Sequence, residues 1–154
     1  MTTLKTFLIT FAALFISNSA NAGDIMIEDA YARSNGKMAK AGAAFMVIHN
    51  HTNIDDRLIA ASSVAAKMVQ LHRHIKSEGG VMKMEHVPDG FVVPANGSHM
   101  LSRGRDHVMF MGLTTPWENG QIIPLTLVFK NAGEMDIRLT VDLKRKDEDK
   151  VHKN

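Results

Sequence analysis

Turn-forming clusters cut this 154-residue chain into segments too short for long helices. Between residues 25 and 143 they fall at Gly36-Lys37, at 50–56 (NHTNIDD), at Glu78-Gly79-Gly80 and at Pro88-Asp89-Gly90. They return at 94–97 (PANG), 103–106 (RGRD), 116–120 and 131–133. Glycine supplies left-handed backbone, proline presets φ, and Asn and Asp bond back to their own main chain. The segments left between them carry no sustained helical period. We read about nine strands, at 25–33, 41–49, 57–64, 68–75, 81–87, 99–102, 108–113, 124–130 and 134–143, with a short apolar run at 91–93. Short strands with turns about every 8–12 residues predict an all-β protein, an antiparallel β-sandwich or barrel. No internal repeat or domain boundary interrupts this pattern.

The two ends read differently. Lys5 followed by an apolar run over residues 6–16 and by Ala20-Asn21-Ala22 predicts a signal peptide over residues 1–22. That run is too short to cross a bilayer, which needs about 20 residues. The domain is then expected over residues 23–143, exported to the periplasm, soluble, monomeric and without a membrane span. From Lys144 the sequence KRKDEDKVHKN has mixed charge and no apolar period, which predicts a disordered tail over 144–154. His152 there reads as a solvated residue. The formal charge of +2 falls to +1 without Lys5, so no basic face is implied and nucleic acid is not an expected partner.

Cysteine is absent, which excludes thiolate zinc sites, iron–sulfur clusters and the blue-copper thiolate. No nucleophile–base arrangement suggests an enzyme. Chemistry is concentrated instead between Met68 and Leu113, which hold five of the eight histidines and six of the eleven methionines. In a strand, residues two apart share a face. His107, Met109 and Met111 therefore project together, and so do Met82, Met84 and His86. Thioethers select soft ions, above all Cu(I), and imidazole also suits copper. His72 and His74 are candidates on a neighbouring strand. Met26, Met38, Met46 and Met135 read as core fillers. Met68 and Met100 are candidates for the mouth of a site. His49 and His51 read as surface residues of a polar loop, and spacing identifies no partner for His99.

The ordered runs VMKM (81–84), VPANGS (93–98), HVMFMGL (107–113) and PLTLVF (124–129) resemble the PCuAC family of periplasmic copper chaperones over about residues 25–143. The resemblance implies a cupredoxin-like Greek-key sandwich holding one Cu(I) through two His and two Met, at His72, Met84, His107 and Met109. It further implies delivery to the dinuclear copper centre of cytochrome c oxidase. The expected partners are the copper-accepting oxidase subunit and a Sco-type thioredoxin-fold protein. Eleven residues separate His72 from Met84, and 22 separate Met84 from His107, each gap one longer than the family pattern. His74 and Met82 therefore remain rivals to His72 and Met84, with Met111 a further candidate, and Cu(II) is a second candidate ion. Arg105 and Asp106 stand where the family commonly has glycine. A copper-buffering protein without dedicated delivery is the alternative reading.

Overall fold

A computed structural model describes residues 24–36 and 38–146. The expected signal peptide and the tail beyond Lys146 lie outside the described residues. Ten strands, and no helix among the described residues, follow in order: β1 (Ile25–Ser34), β2 (Ala41–Asn50), β3 (Asp56–Ser62), β4 (Ala66–Lys76) and β5 (Met82–His86). Then come β6 (Phe91–Val93), β7 (Gly97–Leu101), β8 (His107–Leu113), β9 (Ile122–Phe129) and β10 (Gly133–Val141).

The strands lie in the order β5-β4-β8-β2-β1-β10-β9-β3-β6. One side of β2 is shared: Ala41–Ala44 pair with β8 and Met46–Asn50 with β7. Every pairing is antiparallel except β1 with β10. Parallel neighbours need a long crossover, and here the crossover is the whole domain between its first and last strands. The sheet folds over so that β3 packs on β4 and β6 on β7.

The inner face is filled by alternating positions. Ala44, Met46 and Ile48 of β2 meet Leu71 of β4, Val108 and Phe110 of β8, and Leu125, Leu127 and Phe129 of β9. Trp117 lies fully buried, edge-on to Phe110 with centroids 5.1 Å apart. Each such side chain contributes about 1.5–3 kcal/mol on burial. Two buried polar side chains are satisfied at the turns. Asp56 accepts backbone N–H bonds from Arg57, Asn131 and Ala132. Asn50 donates to the carbonyls of Ile54 and Val93 and accepts from Thr52.

A bulge breaks the alternation of β1 between Glu28 and Tyr31, with Asp29 at φ 53°. Ile25 and Ile27 point inward before it, Ala32 and Ser34 after it, so Met26, Glu28, Tyr31 and Arg33 share the outer face. Of the expected core fillers, Met26 is on this outer face and Met38 is in an exposed turn beyond β1, whereas Met46 is in the core. His49 is in β2, not in the loop that follows it. Arg145, near the start of the expected tail, is held on β1. Its guanidinium pairs with Asp29 and covers the Tyr31 ring at 4.0 Å, and its carbonyl accepts from Arg33.

At Gly42 a Cβ would stand 2.3 Å from the buried Trp117 ring. Gly42→Ala is expected to cost about 1–3 kcal/mol, the usual cost of overpacking. Urea unfolding checks it, and an unchanged midpoint at unchanged slope would show that the ring has room to move.

Candidate metal centre

The core fixes what the opposite face presents. Leu71 points inward on β4, so His72 and His74 point outward with Gln70 and Met68. Val108 and Phe110 do the same for His107, Met109 and Met111 on β8. Register then aligns the two strands: His72 faces His107, Gln70 faces Met109 and Met68 faces Met111. On the other side of β4, Met84 faces His74, His86 faces His72 and Met82 faces Lys76. Three adjacent strands therefore carry nitrogen and sulfur donors on one outer face.

A cavity of about 550 Å³ opens on this face, lined by His74, Met82, Met84, His107 and Met109. β2 supplies its floor. Ala43 sits opposite Met109 and Ala41 opposite Met111, and these short side chains leave the room. Phe45 closes one end, its ring 6.3 Å from His107 and 5.2 Å from Tyr31. Arg33, Arg103 and Gly104 complete the rim. His107 is only 2% exposed, whereas Met82 and Met84 stand about half-exposed on edge strand β5. His72 and Met111 are on the same face but outside the lining. The His72 ring lies 6.0 Å from His107 and 5.9 Å from His86, while His74 stacks on His107 at 5.0 Å.

The imidazoles are prepared to ligate. His107 Nδ1 lies 2.9 Å from the Arg105 carbonyl, which can only accept, so Nδ1 carries the proton and Nε2 keeps its lone pair. His72 Nε2 donates to Gln70 Oε1 at 3.1 Å, which leaves Nδ1 as the acceptor. That Nδ1 is buried without a partner, as is Nδ1 of His74. Buried polar atoms ordinarily find a partner, and an ion would satisfy these two. Burial lowers the His107 pKa, with the His74 charge adding to it, against opposing contributions from the Arg105 carbonyl and Asp106. Burial also lowers that of His72, joined by repulsion from His107, His86 and His74. Both rings are held neutral, as a metal ligand must be. Two imidazoles and two thioethers add no charge, so this donor set fits a soft monovalent ion.

The loop before His107 is clamped from the opposite side of the sheet. Arg73, between the two outward histidines of β4, reaches the buried carboxylate of Asp106 in a bidentate pair at 2.6 and 2.9 Å. His99 of β7 donates to the same carboxylate at 3.0 Å, and Phe91 stacks on His99 and lies 5.6 Å beneath Arg73. Burial works to raise the Asp106 pKa. The Arg73 hydrogen bonds and charge outweigh it, with help from His99, and hold the carboxylate ionised. The clamp sets the Arg105 carbonyl, which accepts from both His107 Nδ1 and the His74 backbone N–H. Sequence spacing identified neither Arg73 nor His99. The one signal was a charged pair, Arg105-Asp106, in place of glycine, and it marks a tethered loop. Asp106→Asn is expected to cost about 1–3 kcal/mol in urea unfolding. The His107 ring nitrogen shifts should also lose their single-tautomer signature. Retention of both would show that the loop holds itself.

A family model described as "Putative lipoprotein LpqE-like" matches residues 25–141. A curated relative from Leifsonia xyli subsp. xyli, "Putative lipoprotein Lxx21020", is 33% identical over 99 residues, 64% of this chain. The match spans 59% of that relative's length. Among solved structures, "Copper-bound PCuAC domain from PmoF2" superposes with a TM-score of 0.64 at 25% identity, covering 79% of this chain and 94% of that one. The solution structure of "CuI-DR1885" from Deinococcus radiodurans gives 0.60 at 25% identity, covering 83% and 86%. The fold is thus the cupredoxin-like β fold of these domains.

Proposed function

This chain belongs to the LpqE-like family, and on that premise we propose that it is an exported copper chaperone that carries one Cu(I) on the outer face of β4, β5 and β8. The observation that carries the reading is the cavity in which His74, Met82, Met84, His107 and Met109 meet. Solved relatives that hold copper, and a family described as lipoproteins, support the cargo and the export to the periplasm. His107, Met109 and Met84 are three of the ligands, with Met82 beside them on the edge strand. The fourth is an imidazole of β4: His72 by family spacing, His74 by its place in the cavity. The recipient is the dinuclear copper centre of cytochrome c oxidase, reached together with a Sco-type thioredoxin-fold protein.

The donor set suits handover. Thioethers and neutral imidazoles leave the bound ion cationic and hold it without a thiolate cage, so incoming cysteine thiolates displace them one at a time. Edge strand β5 keeps two of the sulfurs open to such a partner, while buried His107 anchors the ion from below. A buffering protein would share the site, and transfer to an apo copper-accepting oxidase domain separates the two.

Competition with a coloured chelator under anaerobic conditions is expected to show one tight Cu(I) at this cavity. Met84→Ala and Met109→Ala should each weaken it by at least about tenfold, since even outer-shell changes reach that size. Of His72→Ala and His74→Ala, the one with the larger loss identifies the fourth ligand. Wild-type affinity in Met84→Ala and Met109→Ala would return these methionines to a structural role.

The pH profile has a determined sign. Protons compete with Cu(I) for the ring nitrogens, and the pKa values of His72 and His107 are depressed below the ordinary 6.5. Affinity should therefore hold as pH falls to 6.5 and drop only below it. The same competition assay across pH 8 to 5 tests this, and a flat profile would argue against imidazole ligation.

A further inference from the structure

From a second cluster on the same outer face, we propose that His49, His51 and Met26 form a separate Cu(I) site. The cluster lies at the other end of β2. His49 is six residues beyond Ala43, which places it about 20 Å along the strand from the cavity floor, too far to share one ion. Three observations converge there. Met26 sits directly opposite His49 in the β1–β2 register, with Cβ atoms about 4.5–5.5 Å apart at such a pair. The His51 ring stacks on that of His49, centroids 6.2 Å apart and planes at 11°, so the two imidazoles are neighbours. With metal–nitrogen bonds of about 2 Å, two rings sharing one ion have centroids no more than about 6.5 Å apart, so a turn of the exposed His51 ring about its side-chain bonds brings both lone pairs to one ion.

The third observation concerns the carboxylate behind the ring. Glu28 Oε2 lies 2.8 Å from His49 Nε2, so Nε2 donates and Nδ1 keeps the lone pair. A carboxylate orienting an imidazole in this way is the usual support of a metal-bound histidine. Met26 and Glu28 lie on this face just before the β1 bulge, Met26 opposite His49 and Glu28 opposite Val47, from which it reaches His49 diagonally. The backbone at His51 is fixed: its main-chain N–H donates to the Asp24 carbonyl, and buried Asn50 beside it ties down the turn through Thr52, Ile54 and Val93. Two imidazoles and a thioether repeat the donor chemistry of the first site, but His49 is a quarter exposed and Met26 about half. The ion here is held more weakly and exchanges more freely. This site does not depend on the handover role proposed for the first.

The test is an anaerobic Cu(I) titration of the full chain, followed through Met methyl and His ring NMR shifts, in wild type, Met109→Ala, His51→Ala and Met26→Leu. Wild type is expected to take up two ions in all, the second at least tenfold weaker and shifting Met26, His49 and His51. His51→Ala and Met26→Leu should lose the second ion and keep the first, and Met109→Ala the reverse. His51 is exposed and Met26 half-exposed, so both variants should fold as wild type does. A single ion lost in Met109→Ala, or a second ion that persists in His51→Ala and Met26→Leu, overturns the proposal. A single ion lost in His51→Ala and kept in Met109→Ala supports it while overturning the first site.

Discussion

Strand periodicity, pinned by the core, is the constraint on which the rest depends. Leu71, Val108 and Phe110 are buried on one side of β4 and β8. Their burial leaves His72, His74, His107 and Met109 one orientation, outward. A slip of one residue in either strand would place those donors in the core and expose the apolar set, which the burial energy forbids. The same packing that stabilises the domain thus aims its donors, and no separate device is needed to gather nitrogen and sulfur on one face. β2 shows the same logic: even-numbered positions fill the core, while Ala41 and Ala43 hollow out the cavity floor.

Orientation alone does not prepare an imidazole to bind, and the loop before His107 does the rest. Arg73 and His99 hold the Asp106 carboxylate from the inner side of the sheet, and the Arg105 carbonyl then fixes the His107 tautomer on the outer side. The clamp reaches through the sheet because Arg73 lies between two outward histidines and so points the other way. An ion-pair clamp imposes rigidity where a glycine loop would give freedom. It also relieves His107 of ordering its own ring when an ion arrives. Half-exposed Met82 and Met84 on the edge strand are the complementary part, accessible where His107 is anchored.

The all-β fold and the positions of nine of the ten strands were legible in the sequence because turn residues and apolar runs are local signals, while β6 showed only as a short apolar run. So was the shared face of His107 and Met109, which follows from a period of two. What stayed open depended on register between strands. His72 against His74, and Met82 against Met84, differ by two residues and share a face, so periodicity cannot rank them; only the hairpin pairing places His74 opposite Met84. The expected core role of Met26 failed because the bulge at Asp29 reverses the parity of β1, and a bulge leaves little trace in a single sequence. The partnership of Arg73, His99 and Asp106 joins β4, β7 and the loop before β8, with Arg73 33 residues from Asp106, and was not visible before the fold.

The central claim is that thioether sulfur and imidazole nitrogen from this one face hold the same copper ion. X-ray absorption at the copper edge, on the protein loaded with one equivalent of Cu(I), tests it most directly. A first shell containing both sulfur and imidazole nitrogen, with the sulfur reduced in Met109→Ala, is the predicted result. A shell of nitrogen and oxygen alone would contradict the account and leave the methionines of β5 and β8 without a role in binding.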